Sequence, residues 1–345
     1  MKRKSWMSRV GIVVIAAIMV EAIYVVQYER INSIMVDEGL VVQENEADEF
    51  HARLQTVRRH QVGLVLLGLA ALAFMIQRYA HSEQKLRKAD EENARIGAEL
   101  KVANDIQQSM LPPRQFQQDE VEIFASLVPA REVGGDLFDY YVRDGNLFFC
   151  IGDVSGKGAA AAILMSATLT LFRSLTGHEN NPARIMEVIN KSACRRNDNN
   201  MFVTLFVGVL DLSTGELRYC NAGHDCPLVL QKEVTGIEAK PHLPVGVFED
   251  VKYAVQECFL AADSTLLLYT DGLTEAKNMS RAQFGLPRVK ETLGKESGKR
   301  PEEIIQALTG SLKQFVGSAE QSDDLTLMAI RFSPKSIESP PDALL

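Results

Sequence analysis

The sequence predicts an α+β layered sandwich behind a membrane anchor, and three features of its 345 residues carry that expectation. Strand-like runs are joined by turns short enough to force antiparallel hairpins. The helical stretches come in groups rather than after every strand, which separates this pattern from a doubly wound parallel sheet. Two apolar stretches stand apart near the N-terminus.

Val10 to Val26 is apolar except for Glu21 and follows Lys2, Arg3, Lys4 and Arg9; Val62 to Ile76 is apolar, free of charge and followed by Arg78. A bilayer core takes about 20 mostly apolar residues, so the two read as spans at about 10–28 and 61–80, completed by flanking side chains that reach the interface. Glu21 opposes the first reading, because a carboxylate in hydrocarbon is costly. A cleaved signal peptide is the rival there, yet no A-x-A-like site follows, and the second stretch would still anchor the chain. The connecting loop carries Glu29, Asp37, Glu38, Glu44, Glu46, Asp48 and Glu49, whereas Lys85, Arg87 and Lys88 follow the second stretch. The excess of basic residues at the outer flanks places both ends in the cytoplasm and the protein in the cell (inner) membrane. Gln27 to Gln61 is too short for a sensor domain with its own core and reads as helical extensions of the spans.

After this anchor (1–80) comes a helical linker, 81–113. Leu86, Ala89, Ile96, Leu100, Ala103 and Met110 fall at three- and four-residue steps, interrupted by Asn93 and Gln107. The stretch is either a signalling coiled coil, which would pair two copies into a homodimer, or a solvated amphipathic connector. Pro112-Pro113 ends it, since proline cannot continue a helix.

The main domain is assigned to 114–332. Glu122 to Pro129 alternates like a strand, and Leu137 to Val142 with Asn146 to Ile151 flank the hairpin turn Asp144-Gly145. Helices are expected at Gly158 to Leu175 and Pro182 to Ala193, then a second hairpin, Val203 to Asp211 with Glu216 to Asn221. Strands follow at Leu228 to Gln231, Tyr253 to Leu260 and Thr265 to Tyr269, helices at Arg288 to Leu293 and Pro301 to Phe315, and a closing strand at Leu325 to Phe332. The tail 333–345, with Pro334, Pro340 and Pro341, reads as disordered.

A net charge of −8 argues against nucleic acid as a partner. The five cysteines form no CxxC pair, which removes the usual zinc and disulfide frameworks. Acidic residues instead recur beside glycines where strands end: Gly134-Gly135-Asp136 with Asp139, Gly152-Asp153-Val154-Ser155-Gly156-Lys157-Gly158, Asn221-Ala222-Gly223-His224, Tyr269-Thr270-Asp271-Gly272, and Ser322-Asp323-Asp324. Scattered carboxylates suit a hard cation that takes oxygen ligands, such as Mg²⁺ or Mn²⁺. On pattern alone, turn-forming Asp-Gly pairs explain them as well.

The order GGDLFD, GDVSGKG, NAGH, YTDGLTEA, SDDLTL resembles the PPM (PP2C-like) protein serine/threonine phosphatases. Within that family it is similar to the bacterial sporulation and stress-response branch, which acts on anti-sigma factor antagonists. The likeness runs from about Ile106 to Phe332 and includes the lead-in from Ile106 to Pro112. It implies two antiparallel sheets packed together with helices outside, an α-β-β-α sandwich, and two divalent metal ions, Mn²⁺ or Mg²⁺, that activate a water for attack on phosphorus. It implies further that Asp153 bridges the metals, that the Val154 carbonyl ligates one, and that Asp271 and Asp323 complete the site. Asp136 would contribute directly or through water, and Asp324 would orient the site. The substrate implied is a phosphoserine or phosphothreonine on a small cytosolic regulator of the anti-sigma factor antagonist type.

Other positions remain open. Arg131 stands five residues before Asp136, where eukaryotic relatives carry a phosphate-binding arginine, although many bacterial members lack it. His224 is either a general acid, a neighbour of a third metal, or a structural residue at a strand end. Lys157 either steers the anionic substrate or is solvated. Ser155 reads as a turn residue, with no histidine partner in reach. Gly134-Gly135-Asp136 is not a diguanylate cyclase signature, because Leu137 replaces the needed acid, and Gly152 to Gly158 lacks Walker A spacing. The alternative function is a catalytically silent membrane receptor or scaffold of the same fold, which would tolerate loss of Asp153.

Overall fold

The computed structural model describes residues 19, 22–31, 33–34, 44–195, 197–240 and 242–334. Most of the first apolar stretch and nearly all of the tail expected to be disordered lie outside these residues. The chain divides into two compact units, 1–94 and 95–345.

In the first unit residues 22–31 are helical. Helix α1 (Glu44–Met110) contributes residues 44–94 to this unit and 95–110 to the second. The apolar stretch 62–76 lies within α1, on a segment long and apolar enough to cross a membrane. Its side chains are not buried by protein: Leu64 is 70% exposed and Leu67 69%. The Arg58 guanidinium stands 5.4 Å from the centroid of the Tyr24 ring. The helix stops at Met110, as the Pro112-Pro113 pair requires.

The second unit is built on two antiparallel sheets. One contains β1 (Gln115–Gln118), β2 (Val121–Val128), β7 (Leu228–Leu230), β8 (Val234–Gly236), β10 (Ser264–Tyr269) and β11 (Leu325–Phe332), in the order β1-β2-β11-β10-β7-β8. The other contains β3 (Leu137–Arg143), β4 (Asn146–Val154), β5 (Val203–Asp211), β6 (Glu216–Ala222) and β9 (Gln256–Phe259), in the order β3-β4-β5-β6-β9. Asp144 and Gly145 close the β3–β4 hairpin with φ of 49° and 71°, the left-handed pair that a two-residue turn demands.

Alternation along the strands sorts side chains into layers. Ile123, Phe138, Phe149, Ile151, Phe206, Leu266, Met328 and Ile330 fill the space between the sheets. On the outer face of the five-stranded sheet, helix α2 (Ala159–Thr176) and helix α3 (Pro182–Cys194) bury Met165, Leu169, Phe172, Ile185 and Ile189. Although α2 is apolar enough to pass as a membrane span, this buried face marks it as a core helix. After the one-turn helix α4 (Asp271–Thr274), helices α5 (Gly285–Gly294) and α6 (Pro301–Val316) cover the six-stranded sheet through Val289, Leu293, Ile304 and Leu308. The order of layers is helix, sheet, sheet, helix, as the sequence predicts. The differences are at edges: β1 and β8 were not expected, and the strand expected over Tyr253 to Leu260 is only Gln256–Phe259. Neither new strand alternates apolar with polar residues, so periodicity gives no signal there.

Candidate metal centre

The antiparallel register gathers the acidic motifs at one end of the two sheets. Leu137 pairs with Gly152, so Asp136, just before β3, lies beside Asp153 near the end of β4. Tyr269 pairs with Leu327, which brings Asp271, the first residue of α4, alongside Asp323 and Asp324 ahead of β11. Asp153 pairs with Thr204 on β5, and His224 follows the end of β6 on the next strand.

Close backbone approach makes this convergence possible, and it explains two of the glycines. A Cβ on Gly272 would lie 1.8 Å from the Asp324 carbonyl oxygen, and one on Gly134 would lie 2.4 Å from Asp324 Oδ2. Asp324 uses the space they leave to fasten the turn before β3. Its Oδ1 accepts from the Ala130 amide at 2.8 Å and its Oδ2 from the Gly135 amide at 2.7 Å. Asp136 is buried, and its Oδ2 accepts from the Thr270 hydroxyl at 2.8 Å and the Thr326 hydroxyl at 2.6 Å. From the linker, Gln107 Nε2 donates to the Gly134 carbonyl at 2.7 Å while its Oε1 accepts from the Gly134 amide at 3.2 Å.

Burial and mutual repulsion dominate the electrostatics. Burial, then the Asp153 charge, hold Asp136 well above the usual carboxylate range. Burial, then Asp271 and Asp323, push Asp153 up to about 7, with a hydrogen bond from Asp136 opposing the rise. Asp271 is pushed up to about 6 by burial, then by Asp323, Glu275 and Asp225. Lys157 answers part of this charge, its Nζ standing 2.9 Å from Asp323 Oδ2. Among the described residues no three acidic, histidine or cysteine side chains close into a ready-made cage. A carboxylate set that repels itself and attracts an ammonium group, with oxygen donors only, nevertheless fits hard cations.

The remaining candidates lie differently. Val154 is buried, with its carbonyl 2.9 Å from where a Cβ on Gly135 would sit. His224 is buried, and its Nδ1 lies 3.1 Å from the Thr204 hydroxyl, which in turn faces the Asp153 carbonyl at 3.4 Å. Burial pushes its imidazole down to about 4, so it is neutral at pH 7. Its Nε2 makes no well-formed hydrogen bond, although the Tyr269 backbone lies near enough to oppose that fall. Arg131 is exposed and forms no ion pair among the described residues. The Ser155 hydroxyl accepts from the Phe202 amide at 2.8 Å, as a turn residue does. Asp139 grips Arg173 of α2 through Nε and Nη2, tying helix to sheet outside the acidic set.

Thr270, Thr326, Thr204 and Gln107 were missed as functional positions. The first two sit inside YTDG and SDDLTL, and the signal for Gln107 was its interruption of the apolar repeat: it is a buried polar contact.

Residues 143–333, more than half of the chain, match the family model for stage II sporulation protein E (SpoIIE). The chain is 30% identical to Protein IcfG of Synechocystis sp. over 67% of its own length and 41% of that protein's. It is 26% identical to phosphoserine phosphatase RsbU of Bacillus subtilis, over 72% of its length and 73% of that protein's. The crystal structure of the RsbU and RsbW domains of a Mycobacterium tuberculosis protein superposes with a TM-score of 0.56 at 27% identity, covering 66% of this chain and 63% of that one. The SiaA-PP2C domain of Pseudomonas aeruginosa gives 0.62 at 22% identity, covering 70% and 98%, and shows the shared fold. The fold is that of a PP2C-like domain. The chain belongs to the SpoIIE family of PP2C-type serine phosphatases.

Proposed function

We propose that this chain is a membrane-anchored, metal-dependent phosphoprotein phosphatase acting on phosphoserine or phosphothreonine of a cytosolic regulator such as an anti-sigma factor antagonist. The observation that carries the reading is the convergence of Asp136, Asp153, Asp271 and Asp323 from the strand ends of both sheets, where burial and neighbouring carboxylates hold Asp136, Asp153 and Asp271 above the usual carboxylate range. Asp153, the Val154 carbonyl, Asp271, Asp323 and Asp136 would hold two ions, Mn²⁺ or Mg²⁺. When bound, such ions acidify water and neutralise charge on the transferring phosphoryl group.

The chain's own residues supply position. Thr270 and Thr326 fix the Asp136 carboxylate, and Asp324 ties down the turn that carries it. His224, buried and neutral, supports the Asp153 strand end through Thr204. Arg131, exposed and without an ion pair among the described residues, is placed to meet an incoming phosphate. No side-chain nucleophile is required, in keeping with the hydrogen-bonded Ser155.

Anchoring is supported by the unburied apolar segment of α1 and by the charge bias that puts both ends in the cytoplasm. Homodimerisation through the linker is supported by the exposure of Leu86, Ile96 and Ile106 along α1. Light scattering on the detergent-purified full chain tests it, and a monomer would sink the dimer.

The activity is tested with the full-length chain in lipid nanodiscs, an aryl phosphate and a phosphoserine peptide. Turnover should need Mn²⁺ or Mg²⁺, vanish in EDTA, and fall by more than about 100-fold in Asp153→Asn, beyond the loss typical of residues that merely support ligands. Turnover that survives either treatment refutes the reading.

A further inference from the structure

The loop after β4 delivers a cation to the acidic centre. Lys157 lies between Gly156 and Gly158, whose φ values of 90° and 79° belong to the left-handed region that glycine adopts readily. That backbone turns the lysine across to the segment ahead of β11, where Nζ meets Asp323 Oδ2 at 2.9 Å and also donates to the Ser322 carbonyl. Both side chains are about two-fifths exposed, at 38% and 40%. Among the described residues no other lysine or arginine pairs with Asp136, Asp153, Asp271 or Asp323. Lys157 is therefore, among the described residues, the one tethered positive charge placed against this set.

We propose that Lys157 is the intramolecular counter-ion of Asp323 and competes with the divalent cation for that carboxylate. The inference rests on the metal reading of the site. Asp323 Oδ1 already accepts from the Asp324 amide at 3.0 Å, so the ammonium group on Oδ2 stands in a cation's place on the carboxylate, and metal uptake weakens the Lys157–Asp323 pair. The pair steadies the acidic set while no metal is bound, and its loss is subtracted from the affinity of the metal. Lys157 is thus a positioning residue that acts through Asp323. It sets how much metal the centre needs, and it stands ready at the rim once displaced.

The test is Mn²⁺ binding to the full-length chain in nanodiscs, read by calorimetry, with thermal unfolding in EDTA measured alongside. Lys157→Gln should bind Mn²⁺ up to about five-fold more tightly, the worth of a partly exposed ion pair, and should melt lower in EDTA. Lys157→Arg, which keeps the charge, should stay close to wild type in both. If the Gln variant fails to fold, Lys157→Met keeps the aliphatic stem and repeats the comparison. A neutral variant that binds Mn²⁺ equally or more weakly overturns the proposal, because a lysine that only braced the loop would give that result. A wild-type chain that takes up no Mn²⁺ overturns the metal reading itself, and this inference with it.

Discussion

Strands β4 and β5 run through two chemically opposite environments within a few residues. In the middle, Phe149, Ile151 and Phe206 are fully buried among apolar neighbours, with Phe206 stacked 6.2 Å from Phe149 and 5.4 Å from Tyr219. Toward one end, Asp153 is pushed up to about 7 by burial and by the carboxylates around it. The middle is consistent at every level, since propensity, alternation and packing agree. The end is a conflict that the middle holds in place. Repelling carboxylates stay together because strands anchored by the core leave them no room to separate. The contrast teaches where to look for function in this fold: at the strand ends, where register across the ladder brings mutually repelling carboxylates together.

The sharpest way to break the comparison is to damage the middle and ask whether the end survives. Phe206→Ala should destabilise the domain by about 3–5 kcal/mol, the cost of a large cavity in a packed core. Chemical denaturation of the full chain in nanodiscs measures it. At low temperature, where the variant is still folded, Mn²⁺-dependent turnover should change little. A variant with intact stability would mean that the intersheet layer is not what fixes the strand ends.

The converse change disturbs the end and spares the middle. Thr326→Val removes one hydroxyl from the buried Asp136 carboxylate while keeping side-chain size and strand propensity. Metal affinity should fall by about 10–100-fold, as it does when a ligand loses its orienting partner. Calorimetric Mn²⁺ titration reads this, and an unchanged affinity would remove Asp136 from the ligand set.

The same division governs how much could be read from sequence. The hairpin at Asp144-Gly145 was legible because turn chemistry and alternation are local, and so was the end of α1 at Pro112-Pro113. The acidic motifs were legible as places where strands end, but composition and spacing did not say that they meet. Their meeting depends on register across strands far apart in sequence, such as Tyr269 with Leu327 and Leu137 with Gly152. The family resemblance supplied that step. It gave no role to Lys157, which reads as a solvated loop residue from sequence, whereas the fold turns it onto Asp323 through the glycines beside it. Gln107 was likewise a defect in a repeat until the fold buried it against Gly134.

A gentler perturbation sharpens the comparison without any change in the core. Burial and neighbouring carboxylates push Asp153 up to about 7 and Asp271 up to about 6, both above the usual carboxylate range. Well below pH 4 each is protonated whether the chain is folded or not, and the native site carries little repulsion. As pH rises toward 7, the unfolded chain ionises first while the folded site retains its protons. The folded state then binds more protons than the unfolded one, so stability falls with rising pH and levels off once the folded carboxyls ionise. In EDTA the melting temperature should therefore drop by several degrees between about pH 5 and pH 8, on the scale of about 2–4 °C per kcal/mol for a domain of this size. Asp153→Asn should flatten the curve, and saturating Mn²⁺ at pH 8 should restore the lost stability by binding the ionised form. The apolar middle does not titrate, so any pH dependence left in Asp153→Asn belongs to the other carboxylates. A metal-free wild type whose melting temperature is flat or rises across this range would show that the strand ends carry no repulsion for a cation to relieve.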